Sequence, residues 1–150
     1  MIRDFLARVM AAGAIQLAAN FSPQMAEAVA IRRGLHFALE TGLSLILIES
    51  DALGVINSIL ARSIMCSNLR IVLYHIFHLV SVLDVSSFSF VLRVANKVAD
   101  VLAKATFGFS SDLFWIESCS PCVELLVQGD FLILFLQYMP IFKQKKYMTK

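Results

Sequence analysis

Three acidic side chains stand where hydrophobic patterning would not put a charge by default: Glu27 in Gln24-Met25-Ala26-Glu27-Ala28, Asp51 in Glu49-Ser50-Asp51, and Asp100 in Asn96-Lys97-Val98-Ala99-Asp100. Each lies at an element end or on an apolar face, where an ionised carboxylate is costly unless something pairs with it. The chemistry to look for is therefore that of carboxylates in search of a partner. Taken singly, each also reads as a helix cap, a turn or a solvated surface group.

The elements that must position them follow from periodicity. Ala26 to Glu40 reads as a helix, with Ile31, Gly34, Leu35 and Ala38 at spacings that share a face with Glu27. Glu27 thus points with the apolar stripe. After Thr41-Gly42, the continuous apolar run Leu45-Ile46-Leu47-Ile48 suits a strand buried on both faces of a parallel sheet. Asp51 follows it almost at once, and in open α/β sheets ligands bind beyond the carboxyl ends of the strands. A second strand is expected over Phe88 to Leu92. Asn96 then caps a helix carrying Val98, Val101, Leu102 and Ala105, which places Asp100 near the positive end of the helix dipole.

An order of helix, strand, helix, strand, helix with an acid at three junctions resembles the ribonuclease H type 1 fold, and specifically the reverse-transcriptase-like RNase H domains numerous in plants. The residues that carry the resemblance are Ala26-Glu27-Ala28, Glu49-Ser50-Asp51, and the run Arg93-Val94-Ala95-Asn96-Lys97-Val98-Ala99-Asp100-Val101-Leu102-Ala103-Lys104. Each motif is weak alone and the combination is specific. The likeness covers about residues 2 to 129 and includes the stretch from Ser118 to Leu126. It implies one α/β domain over 1–129, a mixed sheet flanked by helices, and an appended tail over 130–150.

The resemblance also implies a chemistry. Such domains cut the RNA strand of an RNA–DNA hybrid by in-line attack of water on a phosphodiester, using two magnesium ions clustered by acids. Magnesium prefers oxygen ligands and keeps several waters, so a few carboxylates completed by substrate phosphate suit it. One ion lowers the pKa of the attacking water and the other steadies the leaving oxygen. Glu27, Asp51 and Asp100 match the second, third and fourth acids of the set and are the expected catalytic metal ligands: Glu27 on the ion that activates water, Asp51 toward the scissile phosphate, Asp100 completing one shell. Ser50, Asn57 and Arg93 are the expected nucleic-acid contacts, the first two toward the 2′-hydroxyls that distinguish RNA.

The main departure is at the start. The first acid of the set belongs to a strand preceding the hairpin matched here by Ile2 to Met10, and this chain begins after it. Asp4 matches a hairpin-turn aspartate instead. No histidine stands in the loop before the last helix, where Arg93 is found. The absent strand is central in the fold, between the hairpin and the parallel strands, so two edges are expected to be left unpaired. The chain is expected to be metastable unless an upstream segment or a partner supplies that strand.

Composition bounds the alternatives. At 150 residues the chain is a single-domain length, and at 59% apolar and 16% charged its polar surface is thin. Lys143, Lys145, Lys146 and Lys150 account for four of the 13 basic residues, leaving 9 against 11 acids, so the body is formally −2. Nucleic-acid affinity must then come from local patches and metal-bridged phosphate, with Arg32, Arg33, Arg62, Arg70 and Arg93 as candidates. The apolar run Phe131 to Leu136 is too short to span a bilayer, which needs ~20 residues. No signal peptide is evident, and an intracellular location is the default. Cys66, Cys119 and Cys122 are an odd count, and the last two make only half of a zinc knuckle. His75 and His78 fall at the edge of an apolar helical stripe.

Two functions follow: a metal-dependent endonuclease acting on RNA–DNA hybrids, impaired by loss of the first acid, or a non-catalytic nucleic-acid-binding remnant of a retroelement-related ancestor. A membrane-associated protein dominated by its tail is a third and weaker reading.

Overall fold

The computed structural model of the chain describes residues 1–3, 8–17, 21–43, 46–63, 67–83, 85–108 and 110–128. The expectations for Asp4, Cys66, the 129/130 boundary and the tail lie outside these residues.

The longest element is α1 (Pro23–Glu40). It starts three residues before the apolar periodicity predicts, because Ser22 caps it. The Ser22 hydroxyl accepts from the Met25 N–H at 3.3 Å, and Pro23 occupies the first turn, where no N–H is needed. Its end is equally local. The Leu43 N–H donates to the Ala38 carbonyl at 2.9 Å and the Gly42 N–H to that of Leu39, with Gly42 at φ +68°. This is a Schellman closure, which needs a residue in the left-handed region. Gly42→Ala is expected to cost about 1 kcal/mol in urea denaturation, since a Cβ there is strained although nothing lies near it.

The strands before α1 are β1 (Ile2–Arg3) and β2 (Val9–Ala14), paired antiparallel. After α1 come β3 (Ile46–Ser50), α2 (Leu53–Leu60), α3 (Arg70–Val82), β4 (Val85–Phe90), α4 (Lys97–Ala105) and β5 (Leu113–Ile116). The strands form two sheets. One is antiparallel, in the order β1-β2-β5; the other is the parallel pair β3-β4. Parallel pairing requires a crossover, here supplied by α2 and α3.

β3 departs from the doubly buried strand that its apolar run predicts. Ile46 and Ser50 are buried, but Leu47 is 55% exposed. The reason is the alternation along the strand: Ile46, Ile48 and Ser50 face the core, whereas Leu47 and Glu49 point to the opposite, exposed face. β5 was not legible in advance. It lies on the other side of β2, where the ring of Phe114 rests 3.1 Å from where a Cβ of Gly13 would stand. The same ring reaches Phe37 of α1 with centroids 5.0 Å apart, tying this sheet to the helix.

The main core joins α1, α2 and α3 through Ala28, Val29, Leu35, Val55, Ile59, Val72, Leu73, Ile76 and Leu79, with Ile48, Val85 and Phe88 of the parallel pair against it. Full burial of one such aliphatic side chain contributes about 1.5–3 kcal/mol. A second cluster, Val98, Leu102 and Val123, fastens α4 to the segment that follows β5. Among the described residues, no helix is long and apolar enough to cross a membrane.

Candidate functional site

The three acids belong to three different elements. Glu27 lies in α1, one residue before the fully buried Ala28. Asp51 is the first residue after β3, and Asp100 is in the first turn of α4. Short-range bonds connect these elements into one junction. The Ser50 hydroxyl donates to Glu27 Oε2 at 3.4 Å and accepts from the Ala52 N–H at 3.1 Å. Asn96 Nδ2 donates to Asp51 Oδ1 at 2.7 Å, binding the start of α4 to the end of β3. The β4 strand is held alongside by the Val91 N–H, which donates to the Ser50 carbonyl at 3.0 Å.

Asn96 occupies the cap position predicted from the sequence, yet its side chain makes no capping bond. It serves Asp51 instead. Ser50 likewise differs from the expected contact with substrate hydroxyls: it is 3% exposed, and its hydroxyl is committed inside the protein. Asn57 stands exposed on α2.

Electrostatics separate the acids. Burial, reinforced by the nearby charge of Asp51, pushes the Glu27 carboxyl above its ordinary value of 4.5, and the Ser50 hydroxyl and Arg93 offset this in part. Glu27 and Asp51 are thus a like-charged pair, and among the described residues neither has a salt-bridge partner as Asp100 does. Asp100 is the reverse. Lys104 Nζ at 2.6 Å and Arg93 Nη2 at 2.8 Å hold its carboxyl below the usual range. The Lys104 contact is an i,i+4 pair that the sequence spacing shows. Arg93 also feels Asp51 and Glu27, so one exposed guanidinium lies within the field of all three carboxylates.

The raised carboxyl gives a signed expectation. Folded Glu27 holds its proton more tightly than the unfolded chain does, so its contribution to stability is complete below about pH 4.5 and is lost as pH rises through the raised value. Glu27→Gln removes that loss and can still accept from Ser50. In metal-free buffer its urea midpoint is expected to exceed that of the unaltered chain at neutral pH and to match it near pH 4; equal midpoints at both pH values would contradict the reading.

A hard divalent cation takes oxygen donors, which Glu27 and Asp51 supply. Among the described residues, no three His, Cys, Asp or Glu side chains come together closely enough to hold a metal ion. The arrangement therefore presents two acids without a salt-bridge partner among the described residues, and a third acid already paired with two cations beside them. His75 and His78 lie elsewhere, exposed on α3, with His75 Nδ1 3.4 Å from the Arg32 guanidinium of α1.

Comparison with known proteins adds one finding. Residues 1–106, more than two thirds of the chain, match the family described as reverse transcriptase-like. No curated protein and no solved structure matches the chain. The match contains α1, β3 and all of α4, with Glu27, Asp51 and Asp100 inside it. Small sheets flanked by helices, in this order, are the mixed α/β architecture of the ribonuclease H-like fold. On both grounds the chain belongs to the reverse transcriptase-like family of RNase H-like domains.

Proposed function

We propose that this domain binds RNA–DNA hybrid at the junction of α1, β3 and α4, and that with magnesium it hydrolyses the RNA strand once a further strand stands between β1 and β3. The observation that carries the reading is the like-charged pair of Glu27 and Asp51, without a salt-bridge partner among the described residues, with Asp51 just beyond the carboxyl end of a parallel strand. Family membership supports a nucleic-acid-related function.

Each residue then has a task. Glu27 and Asp51 would hold magnesium, which when bound supplies an acidified water and charge for the leaving oxygen. Asn96 fixes the orientation of Asp51 through its Oδ1, and Ser50 does the same for Glu27. Arg93, exposed and lying beside the acids, contacts phosphate. Asp100 stores Arg93 and Lys104 until substrate phosphate competes for them, and only then is its carboxylate open to a metal. Asn57 reaches a 2′-hydroxyl.

The role of a further strand rests on the sheets. β1 and β3 each have one strand neighbour among the described residues, and a strand between them would join the two sheets through their free edges. An adjoining segment or a partner would supply it, together with a fourth acid.

Fluorescence anisotropy with labelled hybrid and labelled DNA duplex tests the binding half of the reading. Hybrid is expected to bind more tightly in magnesium than in its absence, and more tightly than the duplex. Arg93→Ala should lower the slope of log affinity against log salt by about one unit. Equal affinity for both duplexes, with no response to magnesium, would reject the proposal.

A further inference from the structure

The sequence Cys119-Ser120-Pro121-Cys122 is unused by the junction described above. It follows β5 and leads into a helical turn fastened to α4. The Val123 N–H donates to the Ser120 carbonyl at 3.0 Å and the Val127 N–H to that of Val123, so the chain turns sharply just after Cys119. Val123 is fully buried against Val98 and Leu102 of α4, with the half-buried Cys119 packed on the same cluster. Cys122 is exposed, and its sulfur lies 3.1 Å from the Ser120 hydroxyl, folded back toward the residue beside Cys119. Both thiols are free.

We propose that Cys119 and Cys122 form a reversible dithiol–disulfide site that exchanges with small-molecule disulfides of the glutathione class. The geometry divides the labour. Cys122 is open to solvent and takes the first step: its thiolate attacks one sulfur of the small disulfide, forming a mixed disulfide and releasing one small thiolate. Cys119, shielded on the α4 cluster, takes the second. Its thiolate attacks the Cys122 sulfur of the mixed disulfide, closing the Cys119–Cys122 bond and releasing the second small thiol. Two protein thiols are oxidised by two electrons, one disulfide is reduced to two thiols, and the two protein protons leave with them.

Accessibility sets this order, because a half-buried thiol meets a bulky disulfide poorly while an exposed one does not. Burial, the Glu124 carboxylate and the neighbouring Cys122 also push the Cys119 thiol up, which lowers its thiolate fraction and favours Cys122 for the first attack. Only two residues separate the sulfurs, so closure freezes little additional chain. The bond would lock the turn that seats Val123 on α4. The proposal is independent of the nuclease reading, since it uses none of the residues of the acidic junction.

The test is thiol trapping on the full chain carrying Cys66→Ser, which removes the third cysteine. The protein is equilibrated in buffers of graded oxidised to reduced glutathione, quenched with an alkylating reagent and digested with trypsin. Both cysteines fall on one tryptic peptide, between Lys104 and Lys143. The expected result is a peptide lacking two hydrogens and taking no alkyl group, its population rising as the buffer becomes more oxidising and vanishing with dithiothreitol. Adding Cys119→Ser should trap glutathione on Cys122, whereas adding Cys122→Ser should leave Cys119 alkylated and free of glutathione over the same interval. Two alkylated thiols at every ratio, or two independent glutathione adducts, would overturn the proposal. So would equal glutathione capture by the two single-cysteine variants.

Discussion

Asp51→Asn is expected to weaken magnesium binding at least ~100-fold while leaving the fold intact. Loss of a residue that merely supports a metal ligand typically costs 10–100-fold in affinity, and removal of a ligand's charge should reach or exceed the upper end of that range. The substitution is nearly isosteric. An asparagine carbonyl oxygen still accepts from Asn96 Nδ2, so the bond between the end of β3 and the start of α4 survives. What disappears is one negative charge beside Glu27, whose carboxyl should relax toward its ordinary value. Calorimetric titration with magnesium reads the first effect, and urea denaturation in metal-free buffer reads the second. Lost affinity with a urea midpoint that is no lower than that of the unaltered chain, and somewhat higher at neutral pH as Glu27 relaxes, is the expected pair. Unchanged magnesium affinity would remove Asp51 from the site.

Ile76→Ala is expected to destabilise the domain by about 2–5 kcal/mol, a large part of the ~5–15 kcal/mol that a domain of this size usually holds. Ile76 of α3 is fully buried, in the cluster that also contains Ala28 and Val29 of α1 and Val55 of α2. Truncation removes the transfer free energy and leaves a cavity that three helices line. The natural control sits on the same helix. Ile71 is 71% exposed, so Ile71→Ala should fall within about ±0.5 kcal/mol. Alanine is the best helix former, so propensity destabilises neither variant. Equal urea midpoints for the two would contradict the placement of the core. The consequence reaches the site, because Glu27 is held in place by the neighbouring residues of α1 that this cluster buries.

Much of the acidic junction is legible in the sequence because its parts are local. A helix with Glu27 on its apolar face, an apolar run ending just before Asp51, and Asn96 four residues before Asp100 are all short-range patterns. The Asp100–Lys104 pair follows from i,i+4 spacing. What the spacing does not carry is long-range. That Asn96 would turn from its own helix to Asp51 depends on the packing of α4 beside β3, 45 residues distant in sequence. Ser50 reads as a surface polar group, and only the approach of α1 shows it buried and aimed at Glu27. The antiparallel sheet is a stronger case. Leu113 to Ile116 pairs with Ala11 to Ala14 across about a hundred residues, and Gly13 matters because it leaves room for the Phe114 ring. No periodicity announces a four-residue strand of this kind. The same limit explains Leu47, whose apolar character predicts burial but whose exposure depends on which face of β3 the helices pack against.

The arrangement also distinguishes two uses of charge in one small region. Asp100 is paired with two cations of its own chain, whereas among the described residues Glu27 and Asp51 have no salt-bridge partner. A site that served only to fasten α4 to the core would not call for a half-buried carboxylate beside a second one. On the proposed function both states have a use, because an incoming phosphate would compete for Arg93 and free Asp100.

Cleavage of an end-labelled RNA–DNA hybrid in magnesium tests this account most directly, using three proteins: the unaltered chain, a chain extended ahead of Met1 by a strand of ~5–6 residues with a central aspartate, and the same extension carrying Asp51→Asn. The extended chain should cut the RNA strand, Asp51→Asn should abolish the cutting, and the unaltered chain should bind hybrid but cut at least ~100-fold more slowly. Cutting by the extended Asp51→Asn protein at the rate of its parent, or no cutting by the extended chain despite magnesium binding, would contradict it.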